Sequence, residues 1–142
     1  MMTVDDDTYF SLKYLDNIMQ EVVHDQYAIL SGIVTHQQGN MSPLRKFKII
    51  NNVFITEPGL YDNIFCINSG FTIRKSIVEK IGLYDERLFL YMIDYWVMYT
   101  LMKYDLNHIL IVDGEIKQDF SGSSYPGKQS LKKDMKFIKK IV

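Results

Sequence analysis

Hydrophobic residues recur at helical spacing in three parts of the chain. Between residues 11–24 the apolar positions fall three or four apart with polar residues between them, which predicts an amphipathic helix with Ser11 as its N-cap. Residues 76–81 form a shorter run that Gly82 ends, and this predicts a second helix. Residues 94–104 are apolar on almost every side, so a third helix there is expected to be buried. The apolar positions of the first helix are Leu12, Leu15, Ile18, Val22 and Val23.

Short apolar runs between these segments have the composition of β-strands. Polar residues at 35–43 predict a loop, and Glu-Pro-Gly at 57–59 predicts a turn. A further turn is expected at Asp113-Gly114. Strands and helices in this order predict an α/β fold with a mixed sheet flanked by helices, in one domain over residues 1–142. The predicted strands are residues 1–4, 27–34, 47–56, 63–68 and 108–112, with an extended segment at 115–120.

The composition is that of a globular protein without disulfide bonds. Apolar residues make up 47% of the 142 residues and charged residues 23%, and the formal net charge of −1 gives no reason to expect nucleic acid as a partner. Cys66 is the single cysteine, which suits a reducing compartment. No basic-then-apolar leader opens the sequence, and the apolar run at 88–102 contains Asp94 and is too short to span a membrane. A cytoplasmic protein is therefore expected.

Three consecutive carboxylates, Asp5-Asp6-Asp7, follow the apolar residues 1–4 directly. Open α/β sheets place ligand sites where a strand ends and a helix follows. Adjacent carboxylates repel one another, and a hard divalent cation such as Mg²⁺ or Mn²⁺, shared with phosphate oxygens, would relieve that repulsion. The alternative is that Asp7 or Thr8 caps the following helix while the other acids are solvated. The triplet alone leaves both interpretations open.

A longer motif precedes and includes Asp94. It reads Asn-Ser-Gly-Phe-Thr-Ile-Arg-Lys over residues 68–75 and Val-Glu-Lys-Ile-Gly-Leu-Tyr-Asp-Glu-Arg-Leu-Phe-Leu over 78–90. This pattern resembles family 2 glycosyltransferases of the GT-A fold, especially their rhamnosyltransferase-like branch. Residues 4–8 (Val-Asp-Asp-Asp-Thr) are similar to the acidic motif with which that family binds a metal ion and a diphosphate. Residues 118–122 (Gln-Asp-Phe-Ser-Gly) are similar to its His-Asp-x-Ser-Gly segment.

The resemblance implies an inverting, metal-assisted glycosyltransferase that moves a sugar from a nucleotide-diphosphate donor to a hydroxyl of a glycan or lipid-linked acceptor, in cell-surface polysaccharide or glycan synthesis. Asp94 matches the general base that deprotonates the acceptor, and capping the helix that follows is its alternative role. A Mn²⁺ or Mg²⁺ ion is expected to neutralise the diphosphate. The implied metal ligands are Asp5, Asp7 and Gln118. The implied cleft residues are Asp6, Ser69, Gly70 and Arg74, where the alternatives are a turn glycine at 70 and a solvated charge at 74.

The sequence departs from the family pattern in three respects. The second acid beside the Asp94 position is absent. Gln118 stands where many relatives have a histidine, so lower metal affinity is expected. The βα units that hold the nucleoside precede the acidic motif in relatives, whereas this chain begins four residues before Asp5. The expected fold is therefore a partial GT-A-type sheet lacking the N-terminal nucleotide-binding units, with self-association or a partner chain covering the edge at residues 1–4. The alternative function is a non-catalytic remnant that acts as an interaction module.

Residues 128–142 are expected to form a basic C-terminal helix. Leu131, Met135, Ile138 and Ile141 lie at helical spacing, and six lysines occupy the other face. Such a face is either simply solvated or makes peripheral contact with anionic lipid, and the second interpretation extends the expected location to the inner face of the membrane.

Overall fold

The computed structural model describes residues 1–45, 53–82 and 91–119, with nothing stated for the side chains of residues 91 and 92. The chain is mixed α/β, as the sequence predicts, and the described ranges contain three helices and a mixed sheet. The elements in chain order are β1 (Thr8–Phe10), α1 (Leu12–Glu21), β2 (Ile29–His36), β3 (Gly39–Ser42), β4 (Leu44–Arg45), β5 (Val53–Phe54), β6 (Gly59–Asp62), β7 (Ile64–Phe65), β8 (Thr72–Ile73), α2 (Lys75–Ile81), α3 (Tyr91–Lys103) and β9 (His108–Gln118).

Two long strands, β2 and β9, run parallel at the centre of the larger sheet. The start of β9 pairs antiparallel with β6, and its end pairs antiparallel with β1. In the same way β2 pairs with β8 at its start and with β3 at its end. A smaller sheet has the order β5–β4–β7. The C-terminal end of β9 at Gln118 therefore lies beside β1 and the acidic residues that precede it.

Helix α1 begins where the sequence predicts it. Ser11 is the N-cap: its hydroxyl accepts hydrogen bonds from the Tyr14 backbone N–H at 3.2 Å and from the Glu115 N–H at 2.8 Å. The helix ends at Glu21, short of the predicted end at residue 24. Tyr14 and Ile18 are buried, so the apolar side of α1 packs on the sheet as the spacing indicates.

Strand β9 continues through Asp113-Gly114, where the sequence predicts a turn, and that prediction is wrong. The two residues belong to a bulge, because the single residue Gly32 of β2 faces residues 112–114 of β9. Gly114 has φ +126°, and a Cβ there would lie 2.4 Å from the Tyr14 Cα. Glycine at this position therefore allows α1 to lie directly against the bulge.

The N-terminal residues lie along β8 and do not form a strand of their own. The Thr3 N–H donates to the Phe71 carbonyl at 3.0 Å, and the Thr3 carbonyl accepts from the Gly70 N–H at 2.9 Å. Next to these bonds, Met2 forms an isolated bridge with Thr72, and the Ile73 N–H donates to the Met1 carbonyl at 2.8 Å. The predicted N-terminal strand is thus an edge segment only, and it places the following carboxylates beside the turn that precedes β8.

Two strands lie where the sequence predicts a loop and a turn. β3 falls within the predicted loop at 35–43. Its polar residues form the outer strand of a hairpin with β2, and Gly39, which follows the connecting turn, has φ +123°. β6 begins at the end of the predicted turn at 57–59 and pairs with β9. Conversely, within the described residues the predicted strands at 47–56 and 63–68 are reduced to β5 and β7.

Apolar side chains pack on both faces of the larger sheet, because successive residues of β2 and β9 point to opposite sides. Tyr14 and Ile18 of α1 are buried on one face, and Val97, Met98 and Leu101 of α3 on the other. Helix α3 begins at Tyr91, before the predicted start, and it is not buried on every side as predicted. From residue 93 onward, its exposed apolar side chains are Tyr95, Tyr99 and Met102.

The predicted basic helix at 128–142 lies outside the described residues. Among the helices that the structure describes, none has both the length and the hydropathy needed to cross a membrane.

We expect Gly114→Ala to destabilise the protein far more than Gly39→Ala. The two glycines have nearly equal φ, +126° and +123°, so alanine causes a similar backbone strain of about 1 kcal/mol at either position. A Cβ at Gly39 has no atom within 4 Å, whereas one at Gly114 collides with the α1 backbone. Relieving that collision is expected to cost about 2–4 kcal/mol more.

Urea unfolding of both variants measures the difference. If both variants lose the same free energy of unfolding, Gly114 is not needed for the close packing of α1 on the bulge.

Candidate functional site

A cluster of polar side chains lies at the C-terminal end of β9. Thr8 pairs with Gln118, and the Asp119 N–H donates to the Asp7 carbonyl at 3.0 Å, which brings the N-terminal acids to this end of the strand. The turn before β8 and the first turn of α3 complete the surroundings. The members of the cluster are Asp5, Asp7, Asn68, Ser69, Asp94 and Gln118.

Gln118 joins the two outer acids of the triplet. Its Nε2 donates to Asp5 Oδ2 at 3.3 Å and to Asp7 Oδ1 at 3.2 Å. The Ser69 hydroxyl also donates to Asp5 Oδ2. The Gln118 side chain is only 6% exposed, and its Oε1 has no hydrogen-bond partner. A buried amide oxygen without a partner is uncommon in folded proteins, so this one is an available electron-pair donor next to two carboxylates.

Asp94 is held against the turn that precedes β8. Its Oδ1 accepts from the Asn68 N–H at 3.1 Å, and the Thr3 hydroxyl donates to the Asn68 carbonyl at 2.6 Å. Burial, together with the negative charge of Asp5, raises the pKa of Asp94 to about 7, although the Asn68 hydrogen bond opposes the shift. Asp94 lies within the first turn of α3, which begins at Tyr91, and so does not occupy the N-cap. A carboxyl group that titrates near neutrality is suited to proton transfer.

Within the part of the chain that the structure describes, no cationic side chain compensates the carboxylates of the cluster. No lysine or arginine of the described residues pairs with Asp5, Asp7 or Asp94. Arg74 lies at the start of α2, where its Nε donates to the Tyr27 carbonyl at 3.1 Å and its guanidinium pairs with Asp25 at 2.9 Å. Both of those partners lie outside the cluster. Asp6 is exposed in the turn between its two neighbouring acids.

Gly70 and Tyr14 fix the turn that carries Asn68 and Ser69. Gly70 has φ +80°, and a Cβ there would lie 2.8 Å from the ring of Phe10. The Tyr14 hydroxyl donates to the Gly70 carbonyl. Tyr14 and Asn68 are absent from the residues predicted for the site. Tyr14 belongs to a helix for which the sequence signals only packing, and Asn68 acts through its backbone N–H, which any residue except proline can supply.

The donor atoms of the cluster fit an oxygen-ligated cation. Carboxylate oxygens of Asp5 and Asp7 lie within hydrogen-bond reach of one amide nitrogen, and half a turn of the Gln118 amide would present Oε1 in its place. Mg²⁺ and Mn²⁺ prefer oxygen ligands of this kind. The described ranges contain no group of three or more His, Cys, Asp and Glu side chains that could hold a metal ion. The amide oxygen would therefore have to serve beside the two carboxylates.

Comparison with known proteins provides no assignment at this point. The chain matches no protein-family model, no curated protein and no solved structure. The chemistry of the cluster and the motifs that it contains therefore indicate the function.

We expect the buried charge of Asp94 to appear as a pH dependence of stability. The pKa is about 7 in the folded protein against an ordinary value of 3.8, so the folded state binds more protons between these values. The free energy of unfolding should therefore fall as the pH rises from about 4 to about 7. Asp94→Asn keeps an acceptor for the Asn68 N–H and removes the charge. At pH 8 this variant should be more stable than the parent by about 1–3 kcal/mol, and at pH 4 nearly equal to it.

Urea unfolding at pH 4 and pH 8 makes this comparison. Asp16→Asn, at an exposed position on α1, is the control and should show no such difference between the two pH values. If Asp94→Asn gains no stability at pH 8, the carboxylate is not destabilised by its surroundings.

Proposed function

We propose that this chain is an inverting glycosyltransferase that uses a nucleotide-diphosphate sugar, built as the acceptor-side portion of a GT-A-type fold. The observation that carries the proposal is the proximity of Asp94, with a pKa of about 7, to Asp5, which Gln118 in turn links to Asp7. Residues as far as 113 positions apart contribute to this cluster. The sequence motifs independently associate the same residues with proton transfer and with diphosphate binding.

Asp94 is the general base of the proposed reaction. The oxygen of the acceptor hydroxyl forms a bond to the anomeric carbon while its proton passes to the Asp94 carboxylate. The bond between the anomeric carbon and the diphosphate oxygen breaks, and the nucleoside diphosphate leaves with that electron pair. The raised pKa makes Asp94 a stronger base than an exposed aspartate and still leaves it mostly ionised above neutral pH.

Asp5 and Asp7, with the Gln118 amide oxygen, would hold the divalent cation. When bound, Mg²⁺ or Mn²⁺ neutralises charge on the diphosphate leaving group. Without a cation the two carboxylates repel a diphosphate, and no lysine or arginine of the described residues offsets that repulsion. Donor binding is therefore expected to depend on the metal.

The second candidate function is a non-catalytic interaction module. The Gln118 Nε2 already bonds both Asp5 and Asp7, so the cluster is partly satisfied without a metal. The segment around Met2 also lies along the outer side of β8, where a partner chain or a second copy could pair with it. Nucleotide binding separates the two candidates, because a module that only binds protein has no need of it.

We expect UDP or dTDP to bind the 142-residue chain in the presence of Mn²⁺ and not in its absence. Asp7→Ala removes one of the two carboxylates and should weaken Mn²⁺-dependent nucleotide binding by at least about tenfold. Isothermal calorimetry of the purified chain, with Asp16→Ala as a control outside the cluster, provides the measurement. Absence of binding for both nucleotides with Mn²⁺ present would reject the transferase and favour the interaction module.

We expect the rate of sugar transfer to rise with pH through about 7 and then level off, because the base must be ionised. Asp94→Asn should lower the chemical step by about two orders of magnitude or more without weakening nucleotide binding. Single-turnover assays across pH 5–9 measure both effects. A variant that keeps the full rate would show that another group removes the proton.

A further inference from the structure

A cavity of about 350 Å³ lies where β8 leads into α2 and the chain after α1 leads into β2. Residues 72–76 form one wall of this cavity, and residues between Val22 and Leu30 form another. The turn that carries Asn68 and Ser69 lies at the other end of β8. The cavity is therefore separate from the acidic cluster, where the proposed sugar transfer takes place.

Arg74 is a fixed cation in the wall of this cavity and not a member of the acidic cluster. Its Nε donates to the Tyr27 carbonyl at 3.1 Å, and its Nη1 pairs with Asp25 at 2.9 Å. The Arg74 side chain is only 25% exposed, whereas that of Asp25 is 95% exposed. These two contacts use part of the N–H donors of the guanidinium group and leave the others for a ligand. Because Arg74 is already held in place, little conformational freedom is lost when a ligand binds.

Lys75 gives the same wall a second positive charge. Its Nζ lies 3.7 Å from Glu79, in an exposed ion pair of the kind that contributes little to stability, so a ligand can replace it. Among the described residues that line the cavity, Asp25 is the one acid. The lining therefore carries a net positive charge, which favours an anionic ligand.

Thr72 contributes a buried hydroxyl that has no hydrogen-bond partner. The side chain is 8% exposed and lies on the same side of the sheet as that of Leu30, its neighbour on β2, which also lines the cavity. A buried hydroxyl without a partner is uncommon in folded proteins. Rotation about the Cα–Cβ bond would turn it toward the cavity, where an acceptor atom of a ligand would satisfy it. Ser76, exposed on the same wall, offers a second hydroxyl.

Much of the remaining surface of the cavity is apolar. Ala28, Leu30 and Ile73 are buried there, and Val22 is partly buried. The volume is close to the lower limit of ligand pockets, which suits a small organic molecule. A phosphate ester suits the polar wall better than a carboxylate does, because it presents three acceptor oxygens and nearly a double negative charge to the cations and hydroxyls.

We propose that this cavity binds a small organic phosphate monoester. Its phosphate group lies between Arg74 and Lys75 and accepts hydrogen bonds from the hydroxyls of Thr72 and Ser76, while its organic group lies against Leu30. The site needs neither a metal ion nor the acidic cluster. It is thus a second ligand site, additional to the glycosyltransferase function proposed above and independent of it.

The test uses the ¹⁵N-labelled 142-residue chain and phenyl phosphate, whose phosphate is largely a dianion at about pH 7.5. EDTA is present, so that no divalent cation can hold a phosphate at the acidic cluster. We expect saturable shifts of the amide resonances of residues 72–76 and 25–28, and none at residues 68 and 69. Benzoate and inorganic phosphate, which each lack one part of the proposed ligand, should bind at least about fivefold more weakly.

Two lysines of α2 provide a matched pair of variants. Lys75→Gln should weaken phenyl phosphate binding about fivefold, whereas Lys80→Gln, with the same loss of charge outside the cavity, should bind like the parent. Arg74→Gln should weaken binding at least about tenfold, with Arg45→Gln on β4 as its control.

Thr72→Val removes the hydroxyl and keeps the shape of the side chain. Because that hydroxyl has no partner in the protein, this variant should unfold at the same urea concentration as the parent or a higher one, and bind phenyl phosphate about threefold more weakly. If Arg74→Gln does not fold, Lys75→Gln and Thr72→Val carry the test.

The inference is overturned if phenyl phosphate does not bind saturably in EDTA, or if Lys75→Gln and Thr72→Val both bind as the parent does. Equal binding of benzoate would indicate a carboxylate site, and equal binding of inorganic phosphate would show that the apolar wall takes no part. Either result rejects an organic phosphate as the ligand. Phenyl phosphate binding without nucleotide binding would retain this site and reject the transferase, and the reverse would reject this site alone.

Discussion

Tyr14 is fully buried, and its contacts join three parts of the fold. A Cβ on Gly32 of β2 would lie 2.7 Å from its ring, and one on Gly114 of the β9 bulge would meet its backbone. Its hydroxyl donates to the Gly70 carbonyl. Burial raises the pKa of Tyr14 well above its ordinary value, so the phenol stays protonated and remains a donor at any physiological pH. The turn that carries Asn68 is therefore held by packing deep in the protein.

The fixed turn determines the electrostatics of the cluster. Because the Asn68 N–H holds Asp94 and the neighbouring Ser69 hydroxyl holds Asp5, two carboxylates are brought close enough for one to raise the pKa of the other. One backbone hydrogen bond offsets only part of the cost of burying Asp94. The buried carboxylate lowers the stability of the fold, and a neutral residue in its place would remove that cost. Such a cost is typical of sites that bind or transform a ligand.

The sequence predicts those features that depend on neighbouring residues and misses those that depend on packing between distant ones. The Ser11 cap and the end of α2 at Gly82 follow from local chemistry, and both are found. The dipeptide Asp113-Gly114 is compatible with a tight turn and with a bulge. The bulge is found because Tyr14 of α1 packs directly against Gly114, a contact between residues that are distant in the sequence. Within the site, side-chain motifs indicate the acids and Gln118, but no motif can indicate the backbone N–H of Asn68.

The two candidate functions require different interactions of the Gln118 side-chain amide. With no ligand, its Nε2 offsets the repulsion between Asp5 and Asp7, while its Oε1 remains buried without a partner. To bind a cation, the amide would have to turn: Oε1 would then gain a partner, and the carboxylates would lose an N–H donor and face the positive charge of the ion instead. A neutral histidine nitrogen could ligate the cation without giving up two hydrogen bonds to the acids. The amide would thus stabilise the free state relative to a metal-bound one, and metal binding here would have to compete with a hydrogen-bond network that the protein already satisfies in part.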